Sequence, residues 1–504
     1  MSKHSLPVFI VLCVLCLQMS VLRAAKEWSP AGREKFSSGN LKDISISSRG
    51  SLQLAPPVEK IPGLKANLVW DLAVADDGTL YAGTGGQAAV YKMRDGKMER
   101  IHRSSRKHIM SILPVSGGRV LAAGVPGGVI YEISPGGKTS IRAELDEKYV
   151  WDMVAGPEGA AWCATGPEGR LVKVTPDGSV QTVIDTEQQH LMCLANAGNG
   201  ALYVGTAPDG LVLKVQSDGA ARILYDAPEE EVHELFTADD GTLYASTAAA
   251  KPSSNGKKKA ASSSPKKPGN GAAAKVKGTP AASNSVYRIE PDEGASRIAQ
   301  VDSALLLSLV RDADGRLLTG TGMNGRLLNV AEGQATGIVT QFEAAQVSAL
   351  VRGAEGSIYA ATSSGGGMWR VGRGRVETGT FLSAPFDADN LSRWGRVSWN
   401  GEAPADSSVK VRLRTGNSEE PDRYWSEWSE PVSLQDGTDV DVPAGRFAQL
   451  KVDLSSSGSG ASPRVWELSA SYRQSNRRPT IKEAKLGNED SPSPKPASAQ
   501  GNDD

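Results

Sequence analysis

Cysteine, histidine and phenylalanine are scarce in this chain: it has four, five and seven of them among 504 residues. Cys13 and Cys16 fall in an apolar leader, which leaves Cys163 and Cys193, 30 residues apart. Two cysteines make neither a disulfide framework nor a zinc site, which excludes small stapled folds. In an oxidising compartment the two can pair. As members of strand-like apolar segments (AAWCATG and HLMCLAN) they can equally be buried free thiols, and spacing does not decide. Neither sign of charge is in excess, since 56 Lys+Arg face 57 Asp+Glu. A dedicated nucleic-acid binder needs a basic face over most of its domain, so specific nucleic-acid binding is not expected. There is no GxSxG elbow, no HExxH and no phosphate loop, and the GxGxxG string at 320–325 (GTGMNG) is a repeat turn leading into a strand rather than a helix. Turn strings such as PDG and DDG match fragments of calcium loops without the full ligand series.

Long apolar runs are limited to one. Lys3 and His4 precede Leu6–Leu22, and Ala24-Ala25 lead into Lys26-Glu27. A basic start, an apolar core and a small-residue exit read as a secretory signal over 1–25. A membrane anchor would need about 20 clean apolar residues, whereas Gln18 and Ser20 interrupt this run and Arg23 follows it. Val-Leu precedes both leader cysteines, so no lipoprotein box is present. The expectation is export to a periplasm or the cell exterior, with no membrane span left after cleavage.

What the chain has is length and glycine, with 55 Gly. The length calls for two or more folded units. Internal repetition supplies the first. VWDLAVADDGTLYAGTG (69–85) recurs as YVWDMVAGPEGAAWCATG (149–166), HLMCLANAGNGALYVGT (190–206), EVHELFTADDGTLYAST (231–247), LLLSLVRDADGRLLTGTG (305–322) and VSALVRGAEGSIYAATS (347–363). HIMSILPVSGGRVLAAG (108–124) is a weaker copy. The turn glycines Gly78, Gly118, Gly159, Gly200, Gly241, Gly315 and Gly356 are spaced 40, 41, 41, 41, 74 and 41 apart. Each unit reads as four short strands separated by Gly-containing turns. Four antiparallel strands per repeat make a propeller blade, so an all-β fold with a seven-bladed β-propeller over 43–375 is predicted. Six residues before each turn glycine stand Leu72, Ile112, Met153, Leu194, Leu235, Leu309 and Leu350; nine before stand Val69, Ile109, Val150, Leu191, Val232, Leu306 and Val347. These are expected to form the inter-blade core. The strand-like segment 43–56 is expected to close blade seven as its outer strand, which also protects an edge.

The repeats resemble those of exported bacterial seven-bladed propellers in the WD40-like group, and VWDL…DGTLYAGT resembles two-component-regulator propeller repeats. The resemblance implies architecture rather than activity, because Trp70-Asp71 and Trp151-Asp152 lie in the first strand instead of the WD40 position.

Between the second and third strands of the fifth repeat, 250–285 carry eight Lys, no acid and no aromatic, a composition that cannot order itself. It reads as a solvated loop or as a basic flap drawing in an anionic partner. After 375 the period stops. Residues 376–474 hold Trp394, Trp399, Trp425, Trp428 and Trp466 and read as a smaller β-sandwich, with 475–504 a disordered tail. GRFAQLKVDL and SPRVWELSASY resemble the closing strands of galactose-binding-like sandwiches, and Trp425-Ser426-Glu427-Trp428-Ser429 resembles the WSxWS box of fibronectin-type domains. The resemblance implies a ladder in which Arg412 and Arg414 interleave with Trp425 and Trp428. Its default meaning is structural; an exposed Trp face for a sugar is the sharper alternative.

Ten residues before the turn glycines stand Leu68, His108, Tyr149, His190, Glu231, Leu305 and Gln346, a ring at the channel mouth. His108, Tyr149, His190 and Glu231 are the candidate ligand-binding residues. The sequence favours a non-enzymatic, monomeric exported scaffold that binds a protein or glycan of the envelope or exterior through this face. It assigns no catalytic residue, no resident metal and no cofactor. The alternatives are a propeller hydrolase or lyase with a metal held by those mouth residues, and carbohydrate binding by the C-terminal sandwich.

Overall fold

A computed structural model describes residues 25–249, 284–290, 294–301, 305–457 and 461–475. The expected signal (but for Ala25), the Lys-rich insertion (but for Asn284 and Ser285) and the tail (but for Ser475) lie outside these residues.

The described residues are almost entirely strand, with one short α-helix, Gly32–Ser37. The repeats fold as successive four-stranded antiparallel units whose first strands lie innermost. These first strands are Leu68–Val74, His108–Val115, Tyr149–Ala155, His190–Gly198, Glu231–Thr237, Leu306–Arg311 and Gln346–Arg352. Each touches the next, and the last returns to the first, so the units form a closed ring. At the closing seam the Ser348 hydroxyl donates to the Val69 carbonyl at 2.5 Å and the Val69 amide to the Ser363 hydroxyl at 3.1 Å. Apolar side chains between the sheets hold neighbours together. The set nine residues before the turn glycines is wholly buried, and the set six before is buried except for half-buried Leu350. Cys163 and Cys193 lie in this packing as free thiols, and burial pushes the Cys163 thiol up to about 12.

The closing strand corrects the sequence expectation. The outer strand of the seventh unit is Val58–Ile61, paired to Gly367–Val371, and not 43–56. Within 43–56, Ile44–Ile46 and Leu52–Leu54 pair with each other around a tight turn. They join the sixth unit (Ile46 opposite Ile338) to the C-terminal domain (Leu52 opposite Val465). Burial explains the choice. Ile44, Ile46, Leu52 and Leu54 are covered on every side, which suits a strand pair between two bodies. Val58–Ile61 (VEKI) has two exposed charged residues at its centre, which suits an edge.

The C-terminal strands Thr378–Leu382, Phe386–Glu402, Ser407–Gly416, Gly445–Ser456 and Arg464–Gln474 pack around Trp394, Trp399, Leu413, Leu450 and Leu468. Phe386–Glu402 pairs with Gly445–Ser456 through its first half and with Arg464–Gln474 through its second, linking two groups of strands. The chain's beginning also belongs here. Lys26–Trp28 pairs with Arg464–Gln474 and Asn40–Lys42 with Thr378–Leu382, and the Trp28 ring stacks on Phe386 at 5.0 Å. Sequence reading had started this domain only at 376.

Candidate functional site

All the innermost strands carry a register shift just after their start, as between Val69 and Asp71 or Val150 and Asp152. A bulge there lets successive residues turn away from simple alternation and re-aims their side chains. The residues it re-aims are those eight and seven before the turn glycine.

Two of the residues eight before, Trp70 and Trp151, reach the next unit. The Trp70 indole N–H donates to Nδ1 of His108 at 3.0 Å, and that of Trp151 to Nδ1 of His190 at 3.1 Å. The rings meet edge to face at 5.7 and 5.4 Å. An indole N–H can only donate, so Nδ1 must accept, and each imidazole is neutral with its proton on Nε2. Burial also holds both histidines below their ordinary value, aided at His108 by Lys107 and opposed at His190 by Glu231. Each pair rests on a glycine. A Cβ on Gly85 would collide with Trp70 Nε1 and His108 Nδ1, and one on Gly166 with His190 Nδ1 and Trp151 Nε1.

The remaining mouth residues form neighbouring clusters. Tyr149 stacks on Trp151 at 4.8 Å, with the Lys148 ammonium 5.0 Å over its ring. Glu231 pairs with His233 of its own strand at 3.1 Å, and that hydrogen bond holds its carboxyl below the usual range. Tyr149 and His190 therefore meet around Trp151, with the Glu231 charge acting on His190, while His108 stands apart with Trp70. Among the described residues no three His, Cys, Asp or Glu side chains gather at metal-ligand distance.

A tier deeper are Asp71, Asp152 and Glu234, seven before their turn glycines. Asp71 Oδ1 accepts the Leu72 amide and Oδ2 the Ile112 amide of the next unit, both at 2.7 Å. Asp152 repeats the arrangement on Met153 at 2.7 Å and Leu194 at 2.8 Å. The two aspartates are inter-unit staples. All three acids are half-buried. Burial, joined at Asp71 by the Asp152 charge, outweighs the amide donors of the two aspartates, pushing Asp71 up to about 7 and raising Asp152; burial and the charges of Asp152 and Asp71 raise Glu234. Sequence reading missed the Trp partners and this tier. The available signal was the Trp-Asp dipeptide in the first and third repeats, each followed by His at the start of the next.

In the C-terminal domain Arg414 lies 5.3 Å from the Trp425 ring centre and 4.6 Å from that of Trp428. Its Nε and Nη2 donate to Gln449 Oε1 at 3.0 and 2.6 Å. Arg412 does not join them but pairs with Asp453. Trp425 is buried and donates to the Ser418 hydroxyl at 2.9 Å, while Ser426 and Ser429 receive the amides of Thr415 and Leu413. With one ring buried and both beside a guanidinium, the box stitches a loop to a strand.

No protein-family model and no curated protein matches the sequence. Among solved structures, virginiamycin B lyase from Staphylococcus aureus is 12% identical with a TM-score of 0.50, covering 62% of this chain and 98% of its own. The extracellular domain of a hybrid two component system from B. thetaiotaomicron is 10% identical with a TM-score of 0.45, covering 84% of this chain and 61% of its own. The WD40 propeller domain of Doa1 is 10% identical with a TM-score of 0.45, covering 62% and 96%. Such identities speak to fold alone: the chain is all-β and built as a β-propeller.

Proposed function

We propose that this chain is an exported, monomeric, non-enzymatic binding protein whose channel-mouth face receives a protein or glycan partner. In this reading the repeat units are seven blades of one propeller, and 376–474 with its N-terminal strands form a β-sandwich beside it. The observation that carries the proposal is the pair of indole–imidazole contacts, Trp70–His108 and Trp151–His190. They convert two histidines into fixed N–H donors set among aromatic rings, the combination that recognition surfaces use. The same contacts occupy the nitrogen that a general base or metal ligand would offer, which weighs against acid–base or metal chemistry at His108 and His190. Export is supported by the leader composition. Among the described residues no helix is long and apolar enough to cross a membrane.

The test is photo-crosslinking in the native envelope from Gln346 at the mouth and from Asp218 on the opposite face, with and without His108→Ala/His190→Ala. A discrete adduct from Gln346 alone, lost in the double variant, is the expected result. Equal adducts from both faces, or none from Gln346, would sink the proposal.

A further inference from the structure

Away from the channel, two arginines from distant parts of the chain stand together, and among the described residues no carboxylate pairs with either. Arg33 sits on Gly32–Ser37, and Arg326 begins the third strand of the sixth unit. Both are half-buried, and both guanidinium pKa values are lowered by burial, that of Arg326 also by Arg33. The Nε atoms of both are buried and have no acceptor among the described residues. Arg326 Nη2 donates to the Ser37 carbonyl at 2.6 Å, which uses one of its five N–H groups.

The backbone under both arginines is anchored. The helix is anchored by fully buried Phe36, packed edge to face on Phe381 at 5.4 Å. The Arg326 backbone is pinned by the Thr321 hydroxyl, which receives its amide at 3.0 Å and donates to its carbonyl at 3.1 Å. Two cations side by side on anchored backbone, partly desolvated and with unused donors, cost free energy unless an anion lies between them. Planar N–H forks match tetrahedral oxyanions. We infer that Arg33 and Arg326 form a binding site for a phosphate- or sulfate-class oxyanion at the junction of the N-terminal segment and the sixth unit.

The test is thermal unfolding and calorimetric titration of the whole protein in phosphate-free buffer. The probes are inorganic phosphate, inorganic sulfate and glucose 6-phosphate, each against chloride at matched ionic strength. The expected result is a saturable rise in melting temperature with at least one probe, and a loss of affinity of about tenfold or more in Arg33→Gln and Arg326→Gln. Response to phosphate but not glucose 6-phosphate would identify a free anion; response to both would identify a carried phosphoryl group. Arg326→Gln also loses the bond to Ser37, so Arg33→Gln is the decisive variant if the other fails to fold. No saturable shift beyond that of chloride, or an equal shift in Arg33→Gln, overturns the inference.

Discussion

Replacing Asp71 with Asn should invert in effect between acid and alkaline pH. The carboxyl accepts two short amide bonds, which favour its ionised form, yet enclosure and the neighbouring Asp152 push it up to about 7 from an ordinary 3.8. The folded state thus holds this proton more tightly than the unfolded chain does. Its stabilising contribution is complete below about pH 4 and is lost as pH rises through 7. At about 1.36 kcal/mol per pH unit, the interval from 3.8 to about 7 amounts to about 4 kcal/mol. This is a ceiling, because part of the interaction belongs to the coupled pair with Asp152. Asn is neutral throughout, but its one carbonyl oxygen can serve only one of the amides of Leu72 and Ile112 well. The other faces an NH2 group, at a cost of about 1–3 kcal/mol. At pH 5 the variant should therefore be less stable by roughly that amount. By pH 8.5 the wild type has lost its protonation advantage, and the variant should draw level or lead by about 1–2 kcal/mol. Urea midpoints of both proteins at intervals from pH 5 to pH 8.5 measure this directly. Two curves that run parallel, with a constant offset, would refute the account of Asp71 as a carboxyl kept neutral by its enclosure.

Trp151→Phe removes the donor that selects the neutral form of His190, so the His190 pKa should rise toward about 6.5; an NMR titration that leaves it unmoved would count against the pairing. Gly166→Ala puts a methyl group against both partners and should destabilise by about 1–3 kcal/mol, read as a lower thermal midpoint together with loss of the low His190 pKa. Arg414→Ala strips the contact from Trp425 and Trp428 and should cost about 1–3 kcal/mol, with a shift in tryptophan fluorescence; Arg414→Lys should recover little, because an ammonium cannot reproduce the planar contact.

The ring of strands was legible because its packing must be repeated. Every unit buries both faces of its inner strand against equivalent neighbours, so the apolar positions recur at a fixed distance from each turn glycine. The clasp was less legible. Residues 43–56 and Val58–Ile61 both read as strands, and propensity says nothing about which sheet edge a short strand joins. Only the burial of Ile44, Ile46, Leu52 and Leu54 separates them. The Trp-rich domain likewise hid its dependence on residues 26–42, since pairing across more than three hundred residues leaves no local pattern.

The mouth was partly legible, and the reason for the shortfall is specific. His108, Tyr149, His190 and Glu231 share one register, but what decides the chemistry of the two histidines lies in the preceding unit, and that of Tyr149 and Glu231 two residues along their own strands, in Trp151 and His233. The repeats themselves form an alignment in which such couplings can be read. Where the residue eight before the turn glycine is Trp, as at Trp70 and Trp151, the residue seven after is Gly85 or Gly166, and the next unit opens with His108 or His190. Where it is Met, as at Met110 and Met192, the corresponding residues are Val125 with Tyr149 and Ala207 with Glu231. Tryptophan and histidine thus change together between units, although the strands around them do not change. Glycine accompanies both pairs but also stands as Gly322 in the sixth unit, beside Leu307 and before Gln346. The collision that any Cβ at Gly85 or Gly166 would cause explains why the pairs need it, since the indole and imidazole fill the space of a side chain there. A Trp and a His that recur only together, each time over a glycine, are a signature of a contact, whereas free variation of solvent-facing residues would leave the two independent.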